Sequence, residues 1–310
     1  MSRPRVGLAL GSGSARGWAH IGVIDALTEA GIVPDVVCGT SMGALVGAAH
    51  VAGRLQALRQ WAEGATWRAI ARLTDLRFTG GGLVSGRQVV GFLRGLGVEQ
   101  PIESYPTPYA AVATDMATGR EIWLQSGPIH EAVRASIALP GILSPARRDG
   151  KWLLDGGLSN PVPVSVCRAL GADVIIAVNL NGELLGRRFT EPEPPEATRP
   201  SRLSGEVVRR VLGQLPGALP GPFRRKALDV GPDVPRETSP PPGYFDVIAT
   251  SINIMQDHIT RTRLAGEPPH VMLVPRLRTI GLMEFNRAAE AIAEGRACVE
   301  QALPALQRYL

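Results

Sequence analysis

The chain has 310 residues, of which 45% are apolar and 20% charged, and a formal net charge of +5. This length and apolar fraction allow a large buried core and exclude a disordered or fibrous protein. Three widely spaced cysteines exclude a disulfide scaffold and favour a reducing compartment, and no apolar run approaches the roughly 20 residues of a membrane span. We therefore expect a cytoplasmic protein, or one peripheral at the inner face of the membrane.

Apolar segments and turn-forming segments alternate along the chain as strands and helices do. Predicted strands cover residues 6–10, 35–39, 109–114, 121–124, 151–155, 173–179 and 270–274. Predicted helices cover residues 18–30, 42–52, 54–63, 86–96, 128–138, 163–170, 246–264 and 282–300. The alternation predicts an α/β domain with a largely parallel sheet, in which ligands bind beyond the carboxyl ends of the strands.

A turn rich in glycine and serine follows the first predicted strand. Residues 11–17 read Gly-Ser-Gly-Ser-Ala-Arg-Gly and lead directly into a predicted helix. Backbone N–H groups on such a turn, next to the positive end of a helix dipole, suit an oxyanion or a phosphate. Gly11 and Gly13 also imitate a dinucleotide-binding turn, but residue 16 is not glycine and no ribose-binding acid ends the second strand.

The second predicted strand leads into Gly39-Thr40-Ser41-Met42-Gly43, a G-x-S-x-G pentapeptide followed by a predicted helix. A serine on such a strained turn stands clear of the backbone, and the flanking glycines let the strand and the helix approach closely. The pentapeptide alone is weak evidence in a chain with 36 glycines, but its place on a strand-to-helix turn strengthens it. Ser41 is therefore a candidate nucleophile.

A carboxylate ends the strand predicted at residues 151–155. Gly156 and Gly157 follow Asp155 and permit close packing and unusual dihedral angles beside it. Asp-Gly is also a common turn dipeptide, and a plain turn is the commoner interpretation of this feature by itself. As a base, Asp155 would need an apolar surrounding to raise its pKa from about 3.9, and the apolar residues 152–154 are suitable walls.

These three motifs, in this order, resemble the patatin-like phospholipase family, and in particular its bacterial members related to the catalytic domain of neuropathy target esterase. The resemblance includes Arg16–Val23 after the loop, Ala135–Gly141 before the carboxylate strand and Asn160–Pro163 after it. It covers roughly residues 6–180. It implies a three-layer α/β fold, with a largely parallel central sheet and helices on both faces, and a hydrolase that cleaves acyl esters of lipids without a cofactor.

The resemblance also implies a role for each motif. Ser41 would be the nucleophile and Asp155 its partner, in a dyad that lacks histidine. Backbone amides around Ser12, Gly13 and Ser14 would form the oxyanion hole, provided that neither serine needs a positive φ. Residues that would support the motifs are Gly11, Arg16, Gly17, Gly39, Gly43, Gly156 and Gly157. For Arg16, bracing the loop through carbonyl groups is favoured over binding an anionic head group.

Two other functions stay open. An ordinary Ser-Asp-His hydrolase would use His258 or His270, but its nucleophile usually comes after several more strands. A non-catalytic lipid-binding module would keep the fold without the chemistry. The five histidines show no metal-ligand spacing, and we expect no metal site.

Residues 181–245 interrupt the α/β pattern with a segment rich in Pro, Gly and Arg. This insert follows a predicted catalytic core at 6–180 and precedes a helix–strand–helix at 246–310 that completes the same domain. Between Arg199 and Leu228, seven basic residues stand against one acid, and residues 207–215 predict an amphipathic helix with Arg209 and Arg210 opposite its apolar face. We expect segment 199–228 either to contact an anionic membrane or to form a lid, and its few aromatic residues argue against nucleic acid.

Overall fold

The computed structural model describes residues 3–66, 85–183 and 244–309. These stretches belong to one compact unit. The predicted insert lies outside the described residues except at its two ends, and segment 199–228 lies wholly outside them. The predictions for that segment therefore stay predictions.

Eight strands and eight α-helices lie in the described residues. The strands are β1 Val6–Leu10, β2 Val36–Thr40, β3 Tyr109–Asp115, β4 Glu121–Leu124, β5 Ala146–Arg148, β6 Lys151–Asp155, β7 Val174–Val178 and β8 Val271–Leu273. The helices are α1 Ala19–Glu29, α2 Met42–Val51, α3 Leu55–Glu63, α4 Arg87–Gly95, α5 Ile129–Ser136, α6 Val164–Ala169, α7 Tyr244–Gly266 and α8 Ala288–Leu306. Strand β5 was not predicted because its sequence, Ala-Arg-Arg, has no apolar alternation, and α8 begins six residues later than predicted because a 3-10 turn at Phe285–Arg287 precedes it.

The strands form one sheet in the order β5-β6-β3-β2-β1-β7-β8, with β4 also paired to β3. The central strands β3, β2, β1, β7 and β8 run parallel, whereas β4 and β6 run antiparallel to β3. Successive residues of β1 face opposite sides: Leu8 and Leu10 pack in one apolar cluster with α1, α2 and α8, and Ala9 packs in another with α6. The three-layer α/β fold with a largely parallel sheet is thus confirmed.

Two strands share one edge of β3 and meet there end to end. Strand β2 runs parallel to β3 and ends with Thr40 opposite Val112, and β6 runs antiparallel and ends with Asp155 opposite Ala113. Strand β4 occupies the other edge, because it pairs with residues of β3 that already face β2 or β6. Strand β6 is thus an antiparallel member of this largely parallel sheet, and Asp155 lies at its carboxyl end. The antiparallel β6 brings Asp155 towards Ser41 from the opposite side.

Candidate active site

Ser41 occupies the sharp turn between β2 and α2, with φ +57° and ψ −122°. A residue other than glycine adopts a positive φ only at a cost of about 1–3 kcal/mol, so the surrounding bonds must maintain it. The amide of Ser41 donates to Ser136 Oγ at 2.8 Å, and Ser136 Oγ donates to the carbonyl of Val112 at 2.6 Å. Ser41 Oγ donates to Asp155 Oδ2 at 2.6 Å. The turn therefore aims the hydroxyl at the carboxylate.

Asp155 is almost fully buried, with 1% of its surface exposed. Its second carboxylate oxygen, Oδ1, accepts from the amide of Gly157 at 2.7 Å, and its carbonyl accepts from Thr114 Oγ1 at 2.8 Å. Burial raises the pKa of Asp155 to about 6, against the opposing effect of the bonds from Ser41 and Gly157. The carboxylate is thus a much better proton acceptor near neutral pH than an exposed aspartate.

The apolar walls of Asp155 differ from those expected at residues 152–154. The side chain of Trp152 is 52% exposed and cannot shield the carboxylate, whereas Leu153 is buried. Close backbone packing supplies much of the shielding instead. A Cβ atom at Gly156 would lie 2.1 Å from the carbonyl oxygen of Val112, so only glycine lets β3 approach this closely.

The other motif glycines are also sites of close approach. A Cβ atom at Gly43 would lie 2.1 Å from the carbonyl oxygen of Leu10, which brings the start of α2 against the end of β1. Built Cβ atoms would likewise come within 2.6 Å of a neighbouring atom at Gly11, Gly13, Gly17, Gly39 and Gly157. The three motifs are therefore packed against one another as well as adjacent in the sheet.

Two amides of the glycine loop have no hydrogen-bond partner among the described residues. Within the described stretches, no hydrogen bond engages the amide of Gly13 or that of Ser14. Ser12 differs from the expectation, because its amide already donates to the carbonyl of Pro161 at 2.9 Å. The condition on positive φ also fails at Ser14, whose φ is +48°. Serine tolerates this left-handed conformation at a cost of about 1–2 kcal/mol.

The side chains of Arg16 and His20 hold the glycine loop in place through buried hydrogen bonds. Arg16 is 5% exposed, and its Nε donates to the carbonyl of Ile280 at 2.8 Å while Nη1 donates to Asn181 Oδ1 at 3.4 Å. His20 Nε2 lies 2.8 Å from the carbonyl oxygen of Gly11. Burial lowers the pKa of His20 to about 4, so the neutral ring donates this bond at physiological pH. The guanidinium of Arg16 therefore faces carbonyl groups of the protein rather than a bound head group.

Gln256 on α7 is a contact residue that the sequence did not indicate. Its Oε1 accepts from Ser12 Oγ at 3.0 Å and from Asn181 Nδ2 at 3.2 Å, and it is 5% exposed. The same amide group packs over Gly157, where a Cβ atom would lie 2.3 Å from Gln256 Nε2 and 3.0 Å from Asp155 Oδ1. Gln256 thus contacts both the glycine loop and the turn that follows Asp155. A lone polar residue in a long helix gives no sequence signal for such a contact.

An apolar cavity of about 150 Å³ opens beside Ser41. Among the described residues that line it, the polar ones are Ser14 and Ser41. The apolar lining residues are Trp18, Met42, Leu45, Trp61, Val89, Phe92, Ile137, Leu139, Ile142, Leu143, Met283 and Phe285. One end of the cavity therefore holds the candidate nucleophile and a loop serine, and the remainder suits a hydrocarbon chain.

Residues 8–168 match the patatin-like phospholipase family. The chain belongs to this family. An NTE family protein of Mycobacterium tuberculosis is 39% identical over 99% of this chain and 93% of the relative's length. A second M. tuberculosis NTE family protein is 31% identical over 97% of this chain and 46% of its own length. The mouse patatin-like phospholipase domain-containing protein 7 is 34% identical over 56% of this chain and 13% of its own length.

Membership of the patatin-like family supports lipid hydrolase activity in general terms. In this patatin-like chain, the histidines of the alternative triad lie elsewhere. His258 is exposed on α7, and His270 Nδ1 accepts from the amide of Ile175 at 3.0 Å, at the amino end of β8. Across residues 3–66, 85–183 and 244–309, no histidine bonds to Asp155 and no three ligand-type side chains are placed to hold a metal ion.

None of the helices in the described part of this patatin-like chain is long and apolar enough to cross a membrane.

Proposed function

We propose that the protein is a serine acyl hydrolase that cleaves fatty-acyl ester bonds of lipids, as a phospholipase, lysophospholipase or carboxylesterase does. One observation carries the proposal: Ser41 Oγ lies 2.6 Å from Asp155 Oδ2, and burial raises the pKa of that carboxyl to about 6. A serine hydroxyl needs an adjacent base to become a nucleophile, and this carboxylate can serve as one near neutral pH. The apolar cavity beside Ser41 would receive the acyl chain.

The reaction would proceed in two halves. Asp155 accepts the proton of Ser41 Oγ–H while Oγ attacks the ester carbonyl carbon, and the carbonyl oxygen becomes an oxyanion. When this intermediate collapses, the C–O bond to the alcohol breaks and Asp155 returns the proton to the departing alkoxide. Asp155 then takes a proton from water, the hydroxide attacks the acyl-enzyme, and Ser41 leaves with the proton restored as the fatty acid is released.

The amides of Gly13 and Ser14 are the proposed donors to the oxyanion. Both lie in the glycine loop that leads into α1, and Ser14 lines the same cavity as Ser41. Backbone donors fixed before the reaction stabilise developing charge without reorganising, and a lost donor in other serine hydrolases costs about 3–4 kcal/mol in the transition state. Ser12 contributes through its side chain, which fixes the loop to Gln256.

Covalent labelling tests the proposal directly. The protein is treated with a fluorophosphonate, the modified residue is mapped by peptide mass spectrometry, and hydrolysis of p-nitrophenyl esters is measured in parallel. We expect a single modification at Ser41, no labelling of Ser41→Ala, and full activity of His258→Ala and His270→Ala. A non-catalytic lipid-binding module would leave Ser41 unmodified, and an inactive but folded histidine variant would favour the Ser-Asp-His alternative.

We further propose that segment 199–228 draws the enzyme to anionic lipid, on the strength of its seven basic residues against one acid. Each basic residue near an anionic surface contributes up to about 1 kcal/mol, screened over about 8 Å at physiological ionic strength. Replacing Arg209, Arg210, Arg224 and Arg225 by glutamine should weaken co-sedimentation with phosphatidylglycerol vesicles and leave hydrolysis of a soluble ester unchanged. Wild-type protein that ignores these vesicles at low salt would rule out this contact.

A further inference from the structure

Four of the residues that line the cavity beside Ser41 form one aromatic cluster: Trp18, Trp61, Phe92 and Phe285. We propose that this aromatic wall restricts the acyl group to a chain of about six to eight carbons, so that medium-chain acyl esters are the preferred substrates. The inference rests on the proposed acyl hydrolase function and adds to it the length of the acyl chain.

The volume of the cavity limits the length of the acyl chain that it can hold. An engineered cavity of about 150 Å³ lined by Leu, Ile and Phe in another protein stays dry and binds benzene, a molecule of about six carbons. The cavity here has the same volume, about 150 Å³, and similar lining residues. Pockets that enclose drug-sized ligands measure about 300–1,000 Å³. One medium acyl chain therefore fills the space beside Ser41.

The polarity of the lining sets the direction in which the chain enters. A reacting carbonyl must lie at Ser41 Oγ, and of the described residues that line the cavity, Ser14 and Ser41 are the polar ones. The hydrocarbon must then extend among the apolar residues, towards the helices that face the nucleophile turn. Each methylene buried there should raise kcat/KM roughly fourfold until the chain reaches the wall.

The wall is held by contacts between its own rings. The ring centroids of Trp61 and Phe92 lie 4.4 Å apart, and those of Trp18 and Trp61 lie 6.1 Å apart. Trp18 Nε1 donates to the carbonyl of Phe285 at 3.1 Å, which fixes the indole in one orientation. A longer chain would have to displace these contacting rings, of which Trp18 is buried and the other three are partly buried.

One wall residue and one lining residue beside the wall can be changed without altering the chemistry. Trp61 lies on α3 and Phe92 on α4, and these helices carry none of the candidate catalytic, oxyanion-hole or motif residues. Trp61→Ala should therefore lengthen the space for the acyl chain. Val89→Phe, on the same helix as Phe92, should shorten it. The two variants give opposite predictions for one property, so the inference does not depend on the folding of either one.

The experiment measures kcat/KM of the full-length protein on p-nitrophenyl acetate, butyrate, hexanoate, octanoate, decanoate and dodecanoate, each kept below its micelle concentration. We expect a maximum at hexanoate or octanoate and a fall of tenfold or more at dodecanoate. Trp61→Ala should raise the value for dodecanoate tenfold or more, and Val89→Phe should move the maximum to butyrate. Trp123→Ala, a half-exposed tryptophan on β4 outside the cavity, is the matched control and should keep the wild-type profile.

The outcomes separate this inference from the function on which it rests. A wild-type maximum at dodecanoate, or a profile that neither Trp61→Ala nor Val89→Phe shifts, overturns the length restriction even when a fluorophosphonate labels Ser41. A protein that hydrolyses no ester and leaves Ser41 unlabelled refutes the acyl hydrolase function, and the length restriction with it. A shift of the maximum in opposite directions by the two variants supports both.

Discussion

The junction of β2 with β6 and the glycine loop at residues 11–17 both contribute to the candidate site, but they are held in different ways. At the junction, the register of the sheet places Thr40 and Asp155 opposite consecutive residues of β3. The loop lies beyond the end of β1, and its side chains depend on residues far along the chain. Arg16 donates to the carbonyl of Ile280, and Ser12 donates to Gln256.

This difference predicts how each region responds to substitution. The junction brings together the only two side chains that would exchange a proton, so damage there should stop the chemistry. The loop contributes backbone amides, and several separate contacts hold these amides in place. A substitution that removes one of the contacts should therefore slow the reaction only in part.

Asp155→Asn should abolish hydrolysis as completely as Ser41→Ala, by a factor on the order of 10⁴ in kcat, because an amide cannot accept the proton of Ser41 at neutral pH. Both values come from steady-state kinetics on a soluble ester. Residual activity of Asp155→Asn within tenfold of wild type would show that another group is the base.

A measurement of stability distinguishes a catalytic defect of Asp155→Asn from a loss of folding. The folded-state pKa of Asp155, about 6, lies above the usual 3.8, so the charged carboxylate destabilises the fold as pH rises through this window. Asp155→Asn should therefore be more stable than wild type at pH 7.5, by about 2–3 kcal/mol in the free energy of unfolding. The difference should vanish below pH 4, as urea denaturation at the two pH values would show.

The raised pKa of Asp155 also predicts the pH dependence of the reaction. Only the ionised carboxylate can accept the serine proton, so kcat/KM should fall about tenfold for each pH unit below the pKa near 6. At pH 4 this amounts to a loss of roughly a hundredfold. An acid limb centred near pH 4 instead would mean that Asp155 is not desolvated in the free enzyme.

The same contrast explains what the sequence could and could not predict. Ser41, Asp155 and the loop stand in compact motifs next to strands, so their meeting could be expected from local pattern. The direction of β6 could not, because its three consecutive apolar residues, 152–154, have the continuous pattern of a buried parallel strand, although β6 is antiparallel and partly exposed. Gln256 and Ser136 gave no signal either, since buried polar contacts across the fold follow no periodicity. Trp152 was expected to shield Asp155 because its neighbours are apolar, but its own side chain faces solvent.

Arg16→Gln should lower kcat by about 10²-fold and leave KM nearly unchanged, because it leaves the buried carbonyl of Ile280 without its charged donor and loosens the loop. Arg16→Lys should restore little of this activity, since an ammonium cannot reproduce the guanidinium geometry. Arg120→Gln, at an exposed arginine in the turn between β3 and β4, is the matched control. An Arg16 variant whose KM for an anionic phospholipid rises while its kcat is kept would instead assign the side chain to the head group.

The smallest effect should come from the hydrogen bond between Ser12 Oγ and Gln256 Oε1, which measures 3.0 Å. A buried hydrogen bond between neutral groups is worth about 1 kcal/mol, so Gln256→Ala and Ser12→Gly should each lower kcat by roughly fivefold to tenfold at unchanged KM. If Gln256 acts through Ser12, the double variant should be no slower than either single variant, because the second substitution removes nothing further. Gln56→Ala on α3, which removes a side-chain bond to Asp25 on α1, controls for the loss of a glutamine contact as such. Additive losses in the double variant would mean that Gln256 acts instead on the turn at Gly157 and Asp155, and the long-range support of the glycine loop would then rest on Arg16 and His20.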